Sequence, residues 1–294
     1  MIEVYNLSFA YPRNEKPTLH GLDFTIQPGE IFGFLGPSGA GKSTTQKILI
    51  GLLRGFQGSV VVNGMHLGAL GPDFYEQIGV SFETPNLFGK LTGLENLRFF
   101  ASLYTGATES PETLLQRVGL DAAGAQRVAE YSKGMKGRLS VARSLINRPR
   151  ILFLDEPTAG LDPANARLMK DLIQETRSGG TTVFLTTHNM TVADELCDRV
   201  AFIAEGKLAV IDSPRNLKIK YGKKIVRVEY RNTGTTRTVD FSFDGIGEND
   251  AFLTLLRRER IETIHSLEAS LEDIFIQLTG TSLSGSGAVH GDMR

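Results

Sequence analysis

Residues 36–44 read Gly36-Pro37-Ser38-Gly39-Ala40-Gly41-Lys42-Ser43-Thr44 and lie between an apolar run, 31–35, and a segment with helical spacing, 45–53. This is the G-x-x-x-x-G-K-[ST] pattern of a phosphate-binding loop, in the strand-to-helix context that the pattern requires. Its glycines allow successive N–H groups to point at an anion, and the following helix adds its positive end. We therefore predict that this loop holds nucleotide phosphates, with Lys42 on the β- and γ-phosphates and Ser43 on Mg²⁺.

A second motif follows another apolar run, residues 151–154, which is typical of a strand buried on both faces. The run ends directly in Asp155 and Glu156. Acidic residues at the carboxyl end of a strand lie where open α/β sheets bind their ligands. Asp155 suits the Mg²⁺ shell, directly or through water, and Glu156 is placed to polarise the water that attacks the γ-phosphate.

With both motifs in place, the chain resembles the ATP-binding subunits of ABC transporters from residue 1 to about residue 211. The segment Tyr131-Ser132-Lys133-Gly134-Met135-Lys136 looks like the family's signature, which is usually Leu-Ser-Gly-Gly-Gln. The resemblance implies that Ser132 and Gly134, the two matching residues, contact the γ-phosphate of ATP bound to a partner subunit. Lys133 replaces a glycine, and it either adds positive charge near a phosphate or points to solvent. This form of the signature is similar to that of bacterial exporters of the drug-export or ABC-2-like class.

The same resemblance assigns roles to three further residues. His188, after the strand-like run 182–187, looks like the histidine that contacts the γ-phosphate and orients the attacking water. Tyr11 matches the aromatic residue that stacks on adenine. Glu83, after the strand-like run 78–82, stands where the family usually has a glutamine that touches Mg²⁺. A carboxylate is a good Mg²⁺ ligand, but an exposed loop acid explains Glu83 equally well.

The alternation of strand and helix patterns predicts an α/β fold. We expect a P-loop NTPase with a mainly parallel sheet, an antiparallel β subdomain and an inserted helical subdomain. Short strands are expected at 3–9, 23–26 and 59–62, the last two suited to an antiparallel edge beside the nucleotide sheet. The predicted domains are an ATP-binding domain at 1–220, with the helical subdomain at about 88–148, and a small α+β accessory domain at 222–280. Residues 281–294 are rich in glycine and serine and are expected to be a disordered tail.

Smaller elements complete the prediction. After the signature we expect a helix at 137–147. A hairpin at 198–204 and 207–211 closes the ATP-binding domain, and a short helix follows up to residue 221. The accessory domain is then predicted as strands 225–230 and 236–241, a helix at 248–257, a strand at 261–264 and a helix at 267–278.

The composition fits a catalytic subunit that is separate from any membrane path. The 294 residues carry a formal charge of −1, which gives no reason to expect nucleic acid as a partner. The single cysteine, Cys197, excludes an internal disulfide and suits a reducing compartment. No apolar run approaches the roughly 20 residues that span a bilayer, and the first residues lack a signal pattern. We therefore expect a peripheral protein on the cytoplasmic side of the cell membrane.

The resemblance also implies partners. A transmembrane permease would supply the transport path and dock near the apolar surface at residues 86–88. A second ATP-binding subunit, identical or different, would form a two-fold dimer in which each signature closes the partner's ATP site. Two other functional classes stay open: a soluble ATPase of the same superfamily that acts on ribosomes or DNA, and a non-catalytic subunit that uses ATP as a regulatory switch.

Overall fold

The protein is described by a computed structural model that covers residues 2–12, 16–222, 224–232, 234–267 and 269–281. The chain divides into two compact units, one that ends at Pro214 and one from Arg215 to Gly280. The predicted disordered tail, 281–294, lies outside the described residues except for Thr281.

The first unit alternates strands and helices along most of its length. Its strands are β1 (Ile2–Phe9), β2 (Leu19–Ile26), β3 (Ile31–Leu35), β4 (Gln57–Val62), β5 (Met65–His66), β6 (Ile78–Ser81), β7 (Ile151–Asp155), β8 (Thr182–Thr187), β9 (Arg199–Ala204) and β10 (Lys207–Asp212). Its helices are α1 (Lys42–Leu49), α2 (Pro72–Tyr75), α3 (Gly93–Ala101), α4 (Pro111–Arg117), α5 (Lys133–Ser144), α6 (Pro163–Ser178) and α7 (Met190–Leu196), with 3₁₀ turns at Leu67–Ala69 and Val128–Glu130.

The central sheet has the strand order β10-β9-β3-β8-β7-β6 and is parallel except for the antiparallel edge strand β10. Strands β3, β7 and β8 are buried along their whole length. Continuous apolar runs suit such strands because helices cover a parallel sheet on both faces. The pairing β3-β8-β7 brings the carboxyl ends of these three strands together at one edge.

A second, antiparallel sheet has the order β2-β1-β4-β5. Its strands alternate buried and exposed residues, which predicts one face in the core and one in water. Aromatic rings join this face to the central sheet: the ring centroid of Phe24 lies 5.5 Å from that of Phe34, and Phe34 lies 5.5 Å from Phe184. The predicted antiparallel strands are therefore present, and the two sheets share one core.

The second unit contains a three-stranded antiparallel sheet of order β12-β11-β13. Its elements are α8 (Pro214–Tyr221), β11 (Ile225–Asn232), β12 (Thr235–Ser242), a 3₁₀ turn (Ile246–Glu248), α9 (Asp250–Arg258), β13 (Arg260–Leu267) and α10 (Leu271–Thr279). Val226, Val228 and Tyr230 alternate on the buried face of β11, and the ring of Phe252 on α9 packs edge-on against Phe241 of β12. The predicted sequence of elements is present in this unit.

Several helix ends differ from the predicted ones. Helix α1 begins at Lys42 and ends at Leu49, because Gly51, with φ of +76°, then turns the chain. Helix α5 begins at Lys133 and not at 137, because the Ser132 hydroxyl accepts the Met135 N–H at 3.2 Å and caps the helix one turn earlier. Helix α10 begins at Leu271, since β13 continues to Leu267.

The predicted P-loop NTPase fold, with its parallel core, antiparallel sheet and inserted helices α3 to α5, is confirmed. Within the residues that the structure describes, none of the helices combines the length and the apolar character that a membrane crossing needs.

Strand β6 packs so closely on the end of α5 that Gly79→Ala is expected to destabilise the first unit. A β-carbon at Gly79 would lie 1.9 Å from the Ser144 carbonyl oxygen, so β6 or α5 must shift. Overpacking of this kind costs about 1–3 kcal/mol. Urea unfolding checks the effect, with Gly137→Ala as the control because a β-carbon there meets no atom within 4 Å. Equal unfolding midpoints for the two variants would contradict this account.

Candidate nucleotide and metal site

The loop between β3 and α1 has the geometry that a phosphate-binding loop needs. Gly41 has φ of +110°, a conformation that residues with a β-carbon rarely adopt. At Gly36 a β-carbon would lie 2.1 Å from the Ile203 carbonyl oxygen, so only glycine lets the loop leave the sheet at this point. Ser38 and Gly39 at the tip of the loop are exposed, whereas Ala40 is buried beneath it.

Lys42 lies on the inner side of this loop. Its ammonium donates hydrogen bonds to the carbonyl oxygens of Gly36 at 2.6 Å and Pro37 at 3.0 Å. Burial lowers the pKa of the Lys42 ammonium, and the nearby carboxylates of Glu156, Asp155 and Glu83 oppose that shift, in this order. The cation is therefore near all three candidate acids and lies on the inner side of the phosphate loop.

Asp155 and Ser43 provide a pair of oxygen atoms for a divalent cation. The Ser43 hydroxyl donates to Oδ2 of Asp155 at 3.1 Å, and the Thr186 hydroxyl donates to Oδ1 of the same carboxylate. No group of three or more histidine, cysteine, aspartate or glutamate side chains in the described part of the chain could by itself hold a metal ion. A hydroxyl and a carboxylate fit Mg²⁺, which keeps few protein ligands and takes the rest from phosphates and water.

The Glu156 side chain is held by the end of β8. Its Oε1 atom accepts from the backbone N–H of His188 at 2.8 Å and lies 2.6 Å from the Nδ1 atom of that ring. Its Oε2 atom accepts from the Thr187 hydroxyl at 2.8 Å. Because an ionised carboxylate only accepts, this contact places a proton on Nδ1 of His188.

Two features distinguish Glu156 from an ordinary loop acid. Its φ of +49° is uncommon for a residue with a side chain, and such strain concentrates at functional sites. The Glu156 side chain is 8% exposed, whereas that of His188 is 58% exposed. The carboxylate is thus fixed in orientation, while the histidine ring extends from it towards the open side of the site.

Tyr11 lies beside the first turn of α1. Its hydroxyl is 3.1 Å from the Thr44 hydroxyl oxygen, and its ring packs edge-on against Phe9 at 5.0 Å between centroids. The structure therefore places this predicted adenine-stacking residue next to the phosphate loop.

The signature residues lie at the start of α5, next to the loop that follows the acidic pair. Ser132 is exposed and caps α5, and a β-carbon at Gly134 would lie 3.1 Å from the Leu161 side chain. The hydroxyl of the buried Tyr131 donates to the Ala123 carbonyl oxygen at 2.7 Å, which anchors the signature in the helical part. Among the described residues, no hydrogen bond joins the exposed Ser132 to the phosphate loop of its own subunit.

Glu83, shortly after the end of β6, lies near the acidic pair Asp155 and Glu156. It lines a small cavity together with Asp155, Glu156 and the signature residue Lys133. The structure thus brings Glu83 close to the predicted metal site.

We did not predict any role for Thr186, Thr187 or Gln46. Thr186 pairs with Asp155 in the β7-β8 register, and its hydroxyl also lies 3.3 Å from Oε1 of Gln46 on α1. Gln46 is buried, and its Nε2 atom has no protein partner. Two adjacent threonines at the end of a buried strand are the one signal in the sequence that could have indicated these contacts.

Comparison with known proteins identifies the family. The protein-family model described as ABC transporter matches residues 19–159. A second family model, described as fluoroquinolone efflux ABC transporter C-terminal domain, matches residues 224–268. The chain is 55% identical over 285 residues to a fluoroquinolones export ATP-binding protein of Mycobacterium tuberculosis (strain ATCC 25618 / H37Rv), covering 97% of this chain and 95% of that protein. It is 33% identical to a Nod factor export ATP-binding protein I of Burkholderia lata, covering 92% and 94%.

Among solved structures, the chain is similar to an ATP-binding cassette in a dimeric, post-hydrolysis state bound to ADP and Pi. The TM-score is 0.66 at 27% identity, with 72% of this chain and 98% of that chain covered. The fold and the site define a P-loop ATPase. The chain belongs to the ATP-binding, ATP-hydrolysing subunits of ABC transporters, and the prediction of the exporter class is confirmed. The two alternative classes find no support in these relatives.

Thr186→Val is expected to weaken the candidate metal site without altering the fold. The valine keeps the shape of threonine but removes the hydroxyl that orients Asp155 and contacts Gln46. Loss of an outer partner of a metal ligand typically costs roughly 10–100-fold in metal affinity or activity. Turnover of ATP measured against Mg²⁺ concentration checks this expectation.

The matched control is Thr182→Val at the other end of β8, where the hydroxyl accepts the Gly29 N–H at 2.9 Å. It removes a buried hydroxyl from the same strand but leaves the metal site intact. If Thr186→Val had the same Mg²⁺ dependence as this control, the positioning role of Thr186 would be wrong.

Proposed function

We propose that the chain is the peripheral motor subunit of an exporter at the cytoplasmic side of the cell membrane, where Mg²⁺-dependent ATP hydrolysis drives a separate permease. One observation carries the proposal: Lys42, Asp155, Glu156 and His188 meet at one sheet edge in a chain that is 55% identical to an export ATP-binding protein over 97% of its length. The name of that relative supports fluoroquinolones, which are amphipathic aromatic drugs, as the class of substrate.

Nucleotide binding is assigned to the phosphate loop and its neighbours. The backbone N–H groups of residues 36–44 and the Lys42 ammonium hold the phosphates, and the Tyr11 ring stacks on the base. Ser43 and Asp155 would hold Mg²⁺, which when bound neutralises charge on the phosphate oxygens. Glu83 is proposed as a further acid of this metal site, since it lines one small cavity together with Asp155 and Glu156.

Hydrolysis is assigned to Glu156 and His188. The Glu156 carboxylate accepts a proton from the attacking water. The oxygen of that water bonds to the γ-phosphorus, and the bond between the γ-phosphorus and the bridging oxygen of the β-phosphate breaks. Hydrogen bonds from the Thr187 hydroxyl, the backbone N–H of His188 and the Nδ1 atom of its ring fix the direction of that carboxylate. The exposed His188 ring is placed to contact the γ-phosphate.

A second ATP-binding subunit, identical or related, is proposed to complete each site. Ser132 and Gly134 lie at the N-terminus of α5, where the helix dipole favours a phosphate. A two-fold dimer would set this signature against the partner's nucleotide. The dimeric state of a similar cassette supports this arrangement. ATP would then join the subunits, and hydrolysis would let them separate.

The permease is proposed to dock in an apolar groove between β6 and the helical part. The groove has a volume of about 650 Å³ and is lined mainly by apolar side chains from α2, β6 and α3, with Arg54, Glu76 and Arg143 as its charged residues. The Arg143 guanidinium lies 4.9 Å from the centre of the Phe100 ring. Leu103, also in the lining, is 60% exposed, and Phe88 next to Phe100 is 48% exposed. Such exposed apolar surface is typical of a protein-binding site.

Glu156→Gln is expected to bind ATP normally but to lose turnover by about 10²-fold or more, because the amide cannot accept the proton. It should also trap the dimer with nucleotide between the subunits. Size-exclusion chromatography with ATP and a phosphate-release assay measure the two effects. Lys42→Ala is the control, since it should lose ATP affinity and therefore form no trapped dimer. Normal turnover in Glu156→Gln would exclude Glu156 as the base.

Leu103→Asp is expected to abolish association with the permease while ATP binding stays normal, because a charge replaces apolar surface in the groove. Affinity purification from detergent-solubilised membranes, followed by mass spectrometry, should recover a multi-span membrane protein with the wild type and not with the variant. Cells that carry the variant should also accumulate more of a fluorescent fluoroquinolone than cells with the wild type.

The control for this test is Phe243→Asp, which changes a similarly exposed apolar residue in the second unit. Recovery of ribosomes or of no partner by the wild type would contradict the transporter proposal. Equal fluoroquinolone accumulation in all strains, with the permease recovered, would exclude only the substrate class.

A further inference from the structure

A small cavity in the first unit brings charges from three separate segments together. Glu83 comes from the loop after β6, Lys133 from the first turn of α5, and Asp155 and Glu156 from the end of β7. Lys133 is the one cation among the residues that line this cavity, and three acidic residues line the same cavity.

The charge balance of this region is uneven without Lys133. The other nearby cation, Lys42, is engaged with two carbonyl oxygens of the phosphate loop. The loop is proposed to hold a triphosphate, which adds further negative charge beside the same acids. Within the described part of the chain, Lys133 forms no ion pair at 4.0 Å or less, so its link to the acids of this cavity is shared lining and not a direct ion pair.

Packing constrains the aliphatic part of the Lys133 side chain. A β-carbon at Gly160 would lie 3.9 Å from Cδ of Lys133, so the aliphatic stem runs along the loop that follows Glu156. Gly134, one residue further along α5, packs against Leu161 of the same loop. The start of α5 and the segment behind Glu156 are therefore in contact within one subunit.

We propose that Lys133 is a positioning residue for the ATP site of its own subunit: its ammonium offsets the carboxylates of Glu83 and Glu156 across the cavity. This inference rests on the proposed function, which places those acids at the ATP site and directs Ser132 and Gly134 to the partner's nucleotide. Neighbouring residues of the signature would then serve two sites: the hydroxyl of Ser132 would contact the partner's nucleotide, and the charge of Lys133 would act at the ATP site of its own subunit. The competing role for Lys133 is a direct contact with the partner's phosphates.

A double-mutant cycle on the full-length chain separates these two roles. Steady-state ATP turnover is measured for the wild type, Lys133→Met, Glu83→Gln and the double variant, at low and high ionic strength. Lys133→Arg tests whether charge alone restores activity. Lys90→Met is the matched control, because Lys90 is also exposed, lies shortly before helix α3 of the helical part and does not line the cavity.

The proposal predicts that Lys133→Met raises KM for Mg-ATP by about two- to fivefold with little change in kcat, as expected for a partly exposed charge interaction. The increase should shrink at high salt, be rescued in Lys133→Arg and be largely absent when Glu83→Gln is already present. Lys90→Met should leave KM unchanged.

Two results would overturn the proposal. An equal rise in KM with and without Glu83→Gln would assign Lys133 to the partner's phosphates, and no rise in either background would leave Lys133 with no role at the site. Glu156→Gln is measured in the same series so that the proposed function and the role of Lys133 are tested separately. Normal turnover in Glu156→Gln would refute the proposed function itself and would not bear on the role of Lys133.

Discussion

The parallel hydrogen bonding of β3, β8 and β7 is the constraint on which the site depends. Register pairs Leu35 with Thr187 and Asp155 with Thr186, so three strand ends that are far apart in sequence become neighbours. Each strand end then contributes one part: the phosphate loop, the acidic pair and the Thr-Thr-His segment. A slip of one residue in either pairing would turn these side chains to the opposite face of the sheet, because side chains alternate along a strand.

Hydrogen bonds between the strand ends convert this adjacency into fixed geometry. Asp155 receives a hydroxyl from α1 and another from β8, while Glu156 receives all of its donors from the residues at the end of β8. The two neighbouring acids are therefore oriented by different elements. Asp155 faces the start of α1, and Glu156 faces His188, which separates the proposed metal site from the proposed site of proton transfer.

The phosphate loop, the acidic pair and the position of His188 could be predicted because each follows a continuous apolar strand with a distinctive local pattern. The roles of Thr186 and Gln46 could not, since they arise from strand register and side-chain packing that leave no periodic signal. The start of α5 was missed because a glycine-containing segment gives weak helix propensity, and the Ser132 cap overrides it. Lys133 and Glu83 were noted separately as departures from the family pattern, and only the three-dimensional structure places them on one cavity.

Helix α5 connects the two surfaces at which partners are proposed to act. Ser132 caps its first turn, and Arg143, beside the groove, lies in its last turn. Its 12 residues form a rod about 18 Å long, hydrogen-bonded throughout. Such a rod resists compression, so displacement of one end must tilt or translate the other. A permease segment seated in the groove would thus hold one end of a lever whose opposite end touches the ATP of the second subunit, and the ratio of the two movements would be set by where α5 pivots on β6.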